Sequence, residues 1–200
     1  MRARLLILLV APFLRAGLSA AAPPAPASLP CDSEETYHVL DFWLGDWTVL
    51  AERQEVGTNR VEKILAGCAV LEHWRDADGS RGESFFFVQP VTRRWKQVWV
   101  TDQATGPGGL KEKQLVARIP GGGTRFQGEI PIPDGRVILD RTTLTPAPDG
   151  RVHQVIEISR DGGSTWTPTF DAWYIRKGTT ATRFPEGNQS DPRASPRRPP

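Results

Sequence analysis

Polar residues that alternate with tryptophan are the side chains in this sequence that best fit a binding site. Glu72 and Trp74 stand two apart in one β-prone run, and Trp95, Gln97 and Trp99 alternate in another. Side chains two apart in a strand point to the same face of the sheet. Aromatic walls with a few polar groups are typical of a small-molecule cavity. The spacing therefore predicts a cavity in which Glu72 and Gln97 orient a ligand.

Further aromatic residues on neighbouring runs complete this predicted site. For any single ring, the competing interpretation is that it fills the core. Glu72 and Gln97 favour a cavity, because a polar group in a fully packed interior is costly unless it is hydrogen-bonded. The predicted ligand-binding residues are Trp47, Glu72, Trp74, Phe85, Phe87, Gln97, Trp99 and Tyr174.

Carboxylates would supply catalysis if the fold paired two of them in a cavity. The sequence has no Gly-x-Ser-x-Gly, no His-Glu-x-x-His and no phosphate-binding loop. A hydrolase or isomerase with paired carboxylates is therefore a second hypothesis, and no catalytic residue is assigned. The carboxylates available to it are Glu72, Asp102, Asp140, Glu157 and Asp171.

Ten β-prone runs separated by turn residues must position these side chains. Asp-Gly pairs at Asp78, Asp149 and Asp161 are strong hairpin signals, since such turns need a positive φ. Successive hairpins without room for crossover helices predict an all-β, antiparallel, up-and-down lipocalin-like barrel of about ten strands. An open two-sheet sandwich is the alternative architecture. The predicted strands are Phe42–Ala51, Arg60–Leu65, Ala69–Asp76, Glu83–Gln89, Trp95–Thr101, Leu110–Arg118, Thr124–Ile130, Arg136–Thr145, Val152–Ser159 and Trp166–Arg176.

One short helix is expected before the first strand, roughly over Ser33 to Leu40. Asp32 followed by Glu35 predicts its start, with a carboxylate cap and a reciprocal partner. In the strand that follows, Trp43 and Trp47 would face the same side, and Gly45 between them would mark a bend or a close backbone approach.

The two ends of the chain differ in composition from the predicted barrel between them. Arg2 and Arg4 precede the apolar run Leu5 to Leu14, and small residues near Ala20 suit cleavage, as in a secretory signal peptide. The apolar run is too short to span a membrane. The mature protein is therefore expected to be secreted or periplasmic, with no integral membrane segment. The predicted organisation is a signal peptide at 1–20, a Pro/Ala linker at 21–31, the barrel at 32–177 and a disordered tail at 178–200.

Charge and cysteine content bear on nucleic-acid binding and on disulfide formation. The formal net charge is +2, but the first twenty residues carry +3 and residues 178–200 carry +2, so the body between them is slightly acidic at −3. A slightly acidic body argues against a nucleic-acid surface, which needs a concentrated basic face. Cys31 and Cys68 are the only cysteines, and export predicts a disulfide between them. Two unpaired buried thiols are the alternative.

Several motifs together resemble a family of bacterial exported proteins that is classed only as a domain of unknown function with a lipocalin-like β-barrel. The resemblance runs from about Cys31 to Lys177 and implies a fold rather than an activity. The sequence departs from the family pattern at Phe85-Phe86-Phe87 and at Ala172, where glycine is usual. The motifs are Phe42-Trp43-Leu44-Gly45-Asp46-Trp47, Gly67-Cys68-Ala69-Val70-Leu71-Glu72-His73-Trp74, Trp95-Lys96-Gln97-Val98-Trp99-Val100, Ser159-Arg160-Asp161-Gly162-Gly163-Ser164-Thr165-Trp166 and Phe170-Asp171-Ala172-Trp173-Tyr174.

Three histidines raise the alternative of a haem site, because the nitrobindins, which are similar small barrels, bind haem through one histidine. His38, His73 and His153 lack the spacing of metal ligands. His73 alternates with Glu72 and Trp74, so it is expected on the outer face. We therefore predict neither a metal nor a cofactor.

The expected function is binding of a small, mostly apolar or amphipathic molecule inside the barrel. A carboxylate enzyme in the same cavity and a filled barrel that acts as a structural or adaptor protein are the alternatives. The oligomeric state is not predicted.

Overall fold

Ten antiparallel strands form one closed barrel. The computed structural model describes residues 31, 33–103, 109–132 and 135–178. Each strand pairs with its neighbours in sequence, and β1 pairs with β10. The lipocalin-like up-and-down barrel is therefore confirmed, and the open sandwich is excluded. The strands are β1 Gly45–Ala51, β2 Gln54–Ile64, β3 Ala69–Asp76, β4 Arg81–Val88, β5 Trp95–Thr101, β6 Leu110–Ile119, β7 Gly123–Pro131, β8 Val137–Pro146, β9 Val152–Ser159 and β10 Thr167–Arg176.

Several predicted regions lie outside the described residues. These are the signal peptide at 1–20, the linker up to residue 30, the capping residue Asp32 and the tail from residue 179. Among the helices that the structure describes, none is long and apolar enough to cross a membrane.

The first hairpin differs from the prediction because its turn lacks the usual turn residues. β2 begins at Gln54 rather than at Arg60. Glu52 and Arg53 adopt positive φ values of 48° and 69° between β1 and β2. Such a turn normally has Asn, Asp or Gly at these positions. The sequence therefore does not indicate a hairpin turn here, although the backbone makes a tight two-residue connection between β1 and β2.

The short helix predicted before β1 is present, as two successive 3₁₀ turns. They span Glu35–His38 and Asp41–Trp43, and Glu34 at the first N-terminus makes no side-chain capping bond. Trp43 therefore lies in a 3₁₀ turn rather than in the first strand. The two tryptophans still meet, because the Trp47 indole N–H donates to the Trp43 carbonyl at 2.9 Å.

Large side chains fill one end of the barrel, which we call the closed end. The Trp43 ring lies edge-on to Phe86 and Tyr174 at centroid distances of 5.7 and 6.0 Å, and Phe86 contacts Phe126 at 5.4 Å. The 3₁₀ turns cover this end, where the Trp95 indole N–H donates to the Thr36 carbonyl at 2.8 Å. We call the opposite end, which carries the β1–β2 turn, the open end.

The predicted disulfide is confirmed. Cys31 and Cys68 are bonded, with their Cα atoms 5.1 Å apart. The bond joins the segment before the first 3₁₀ turn to the connection between β2 and β3. It therefore fastens the helical cover to the closed end of the barrel.

Gly45 stands where a side chain would collide with an arginine that joins the last strand to the first. Its φ is +131°, and an added Cβ would lie 2.4 Å from Nη1 of Arg176. The Arg176 guanidinium lies over the Trp47 ring, 4.4 Å from its centroid, and donates to the Leu44 carbonyl at 3.0 Å. A methyl group at Gly45 would displace this guanidinium.

Substitution of Gly45→Ala should therefore cost about 2–3 kcal/mol of unfolding free energy, from backbone strain and the lost Arg176 contacts. Gly79→Ala is the matched control, because Gly79 also has a positive φ but an added Cβ would meet nothing within 4 Å. It should cost about 1 kcal/mol. Urea denaturation of both variants tests this. Equal losses would show that the Arg176 contact contributes nothing.

Candidate functional site

A cavity of about 220 Å³ occupies the barrel interior towards the open end. Polar side chains form its floor, next to the packed residues of the closed end. Half-buried aromatic side chains stand at its mouth. The lining residues are Glu72, Trp74, Asp76, Gln97, Trp99, Lys111, Lys113, Thr142, Gln154, Ile156, Phe170 and Tyr174.

Glycines on neighbouring strands make room for the two tryptophans at the mouth. An added Cβ at Gly82 would lie 2.2 Å from the Trp99 ring, and one at Gly57 would lie 2.7 Å from the Trp74 ring. Both indoles therefore lie against backbone that has no side chain facing them. Because the rings fold against the wall in this way, space remains in the middle of the barrel.

Glu72 is the centre of a buried hydrogen-bond network. Asn59 Nδ2 donates to Glu72 Oε1 at 2.7 Å and lies 3.4 Å from the Tyr174 hydroxyl. The Tyr174 hydroxyl in turn donates to Gln154 Oε1. Burial raises the pKa of Glu72, while hydrogen bonds from Ser84 and Asn59 oppose the shift. Burial also raises the pKa of Tyr174, so its phenol remains a neutral donor.

A second polar group combines two lysines with one aspartate. Lys113 Nζ lies 2.5 Å from Asp140 Oδ1 and donates to Thr142 Oγ1 at 2.6 Å. Lys111 Nζ forms an ion pair with Asp140 Oδ2 at 2.7 Å. Burial lowers the pKa of Lys113 to about 8, although the charge of Asp140 opposes this shift.

Gly128 allows Lys113 to reach Asp140 across an intervening strand. In register, Lys113 on β6 faces Gly128 on β7, which faces Asp140 on β8. Glycine leaves the inner face of β7 open between the two charged groups. A Cβ at Gly128 would lie 1.8 Å from the Glu112 carbonyl oxygen, so the backbone itself excludes any larger residue.

Five of the eight predicted ligand-binding residues line the cavity, namely Glu72, Trp74, Gln97, Trp99 and Tyr174. Gln97 Nε2 donates to Ser84 Oγ at 3.0 Å, whereas its Oε1 is buried with no partner in the described part of the chain. Whether these residues bind a ligand stays a prediction.

The other three predicted residues lie elsewhere. Trp47 is fully buried below the cavity, in the closed-end core. Phe85 and Phe87 lie on the outer face of β4, with their ring centroids 5.5 Å apart. Phe86 between them is buried inside the barrel. Three consecutive phenylalanines give no alternation of polarity, so the sequence alone does not show which of them faces inwards.

The five carboxylates considered for catalysis are not brought together. Glu72 lines the cavity, and Asp140 lies behind the lysines of the floor. Glu157 pairs with Arg141, Asp171 contacts His153, and Asp102 accepts from the Arg81 backbone N–H.

The sequence did not predict the charged part of the floor as a site. Lys111 and Lys113 line the cavity together with Thr142 and Gln154. Lysines on a strand normally indicate a solvent-exposed face. One signal was present, because Lys111 and Lys113 stand two apart, as residues on one face of a strand do. That this face is the inner one follows from strand pairing, in which Lys113 stands opposite Gln97 of β5.

The three histidines lie on the outer surface, each beside a carboxylate. His38 Nδ1 lies 2.6 Å from Asp41, His73 Nε2 lies 3.1 Å from Glu62, and His153 Nε2 lies 2.6 Å from Asp171. Among the described residues, no group of three His, Cys, Asp or Glu side chains is placed to hold a metal ion.

No protein-family model matches this chain, and no curated protein matches it either. The structure confirms the closed antiparallel barrel that the motif resemblance implies. Membership of that exported family stays a prediction.

The raised pKa of Glu72 gives a pH-dependent prediction. The folded state holds the proton of Glu72 more tightly than the unfolded state, whose carboxyl titrates near 4.5. The stability from this group is therefore fully present below pH 4.5 and is lost as the pH rises from there through the folded-state pKa. Glu72→Gln cannot ionise, so its stability relative to wild type should rise by up to about 1.4 kcal/mol per pH unit in this window.

Urea denaturation of wild type and Glu72→Gln at several pH values from 4.5 to neutrality measures this difference. Glu62→Gln on the outer face is the control, because a hydrogen bond from Arg60 lowers the pKa of Glu62. That variant should show no such gain. A stability difference for Glu72→Gln that stays constant with pH would contradict the assignment.

Proposed function

We propose that this protein binds a small amphipathic molecule in the barrel cavity. The polar end of the ligand rests on the floor near Glu72, Gln97 and Lys113. Its apolar part lies between the aromatic side chains at the mouth. The observation that carries this proposal is the division of one cavity into a polar floor and an aromatic mouth.

The cost of the polar floor supports the proposal. Glu72, Gln97 and Lys113 are all buried although they are polar or charged. Buried polar and charged groups contribute little to stability compared with apolar residues of the same volume. A functional reason for keeping them is that they recognise a ligand.

The floor also changes the expected chemistry of the ligand. A mostly apolar molecule would leave Gln97 Oε1 without a donor and the remaining N–H of Lys113 without an acceptor. An amphipathic molecule satisfies both polar groups while its apolar part replaces water against Trp74 and Trp99. The amphipathic class is therefore favoured over the mostly apolar one.

Export is part of the proposal. The disulfide between Cys31 and Cys68 supports a secreted or periplasmic location, because such bonds persist in oxidising compartments. The apolar N-terminal run and the family resemblance point to the same location.

An enzyme is the second candidate, and one observation favours it. Burial raises the pKa of Glu72 and lowers that of Lys113 to about 8, and the two groups line the same cavity. A neutral carboxyl and an ammonium that titrates near neutral pH are groups that can exchange protons with a substrate. The adaptor alternative has less support, because it requires a filled interior.

Native mass spectrometry of protein purified from its own host tests the binding proposal. We expect a reproducible small-molecule adduct, whose release identifies the ligand. Ile156→Trp should abolish the adduct because it fills the cavity that Ile156 lines. Val155→Trp is the matched control, since Val155 is the neighbouring residue on the outer face of β9.

Two results would overturn the proposal. One is an adduct that remains equally abundant in Ile156→Trp, because the bound molecule would then lie outside the cavity. The other is a wild-type protein that is repeatedly empty and takes up no amphipathic probe. The folded state of Ile156→Trp is checked by its far-UV circular dichroism.

A further inference from the structure

We propose that the polar end of the ligand is an anion, specifically a carboxylate, which binds at Lys113 and Lys111 on the cavity floor. This inference rests on the proposed function and names the class of its ligand. The juxtaposition of two ammonium groups with a single carboxylate, beside an aromatic mouth, is the observation that leads to it.

The charges on this part of the floor do not balance. Lys113 and Lys111 both pair with Asp140, at 2.5 and 2.7 Å. Each carboxylate oxygen of Asp140 therefore already has an ammonium next to it. Two positive charges and one negative charge leave an excess of one positive charge at the cavity wall. In a buried setting such an excess attracts an anion strongly, since screening by water is weak there.

Hydrogen-bond donors remain available at the same place. A lysine ammonium has three N–H groups. Lys113 uses one on Asp140 and one on Thr142, and the described residues provide no third partner. Lys111 pairs with Asp140 at 2.7 Å, and an ammonium that points one N–H at this carboxylate has two further N–H groups for a ligand. These donors suit the two oxygens of a carboxylate.

The other two carboxylates of the cavity, Glu72 and Asp76, form no ion pair with Lys111 or Lys113 in the described part of the chain. Burial raises the pKa of Glu72, against the hydrogen bonds from Ser84 and Asn59 and the charge of Lys113, and so favours its neutral carboxyl. Asp76 stands at the mouth, where its Oδ1 accepts from the backbone N–H of Asp78 at 3.4 Å. The excess positive charge next to Lys113 is therefore left for an incoming group.

The dimensions of the cavity set the size of the ligand. Its volume is about 220 Å³, and a cavity of about 150 Å³ takes up benzene. A single ring with a carboxylate fits the enclosed space. Trp74 and Trp99 at the mouth would contact the ring, while the carboxylate reaches the lysines.

Three probes of nearly equal shape test the charge of the polar end: benzoate, benzamide and benzamidine. They are anionic, neutral and cationic near neutral pH. We expect wild-type protein to bind benzoate at least about tenfold more tightly than benzamide, and benzamidine most weakly, as measured by quenching of tryptophan fluorescence. This order is measured on wild-type protein and needs no variant.

Lys113→Met should remove the preference for benzoate over benzamide. Lys96→Met is the matched control, because Lys96 lies on the same barrel but on the outer face of β5, paired with Glu112 at 2.6 Å. It should keep the preference. If Lys113→Met does not fold, Lys111→Met, at a half-buried position, should reduce the preference instead.

The outcomes separate this inference from the binding proposal. Benzamide or benzamidine binding as tightly as benzoate would overturn the carboxylate assignment and leave ligand binding intact. Binding of none of the three probes would also overturn it, and native mass spectrometry would then decide whether any molecule occupies the cavity. A benzoate preference that survives in Lys113→Met would place the anion elsewhere.

Discussion

Trp47 lies at the seam where the first strand pairs with the last, and its contacts there join the two ends of the sheet. Its indole is fully buried, with the Arg176 guanidinium 4.4 Å from the ring centroid on one side. Arg176 also donates to the Leu44 carbonyl, 132 residues away in sequence. This contact combines apolar burial, a cation–π interaction and a hydrogen bond at one seam. Glycine at position 45 leaves free the space that the guanidinium occupies and adopts a φ of +131° without strain.

The packed closed end allows the other half of the barrel to stay open. Rings from Trp43, Phe86 and Phe126 fill the closed end, and the disulfide fastens the 3₁₀ turns over it. Towards the open end, glycines at 57, 82 and 128 stand where neighbouring side chains need room. Two of them let tryptophans lie against the wall, and the third lets Lys113 reach Asp140. The cavity therefore exists because small residues are placed next to large ones.

The fold could be predicted from local signals, whereas only part of the site could. Asp-Gly turns and two-residue alternation predicted the closed barrel and the bounds of β3, β5 and β9. Alternation also placed Glu72 and Gln97 inside. It failed for Phe85 and Phe87, where three like residues carry no alternation. The pair of Lys113 and Asp140 was missed because its members stand on strands that are not adjacent, a relation that depends on the strand order and on a glycine between them.

Asp140 stabilises the protonated form of Lys113. Burial and, to a lesser extent, the charge of Lys111 lower the pKa of Lys113 to about 8. The charge of Asp140 opposes this shift, so Lys113 keeps its proton at neutral pH. Asp140 itself is fully buried and does not line the cavity. It therefore maintains the positive charge of Lys113 without lining the cavity itself.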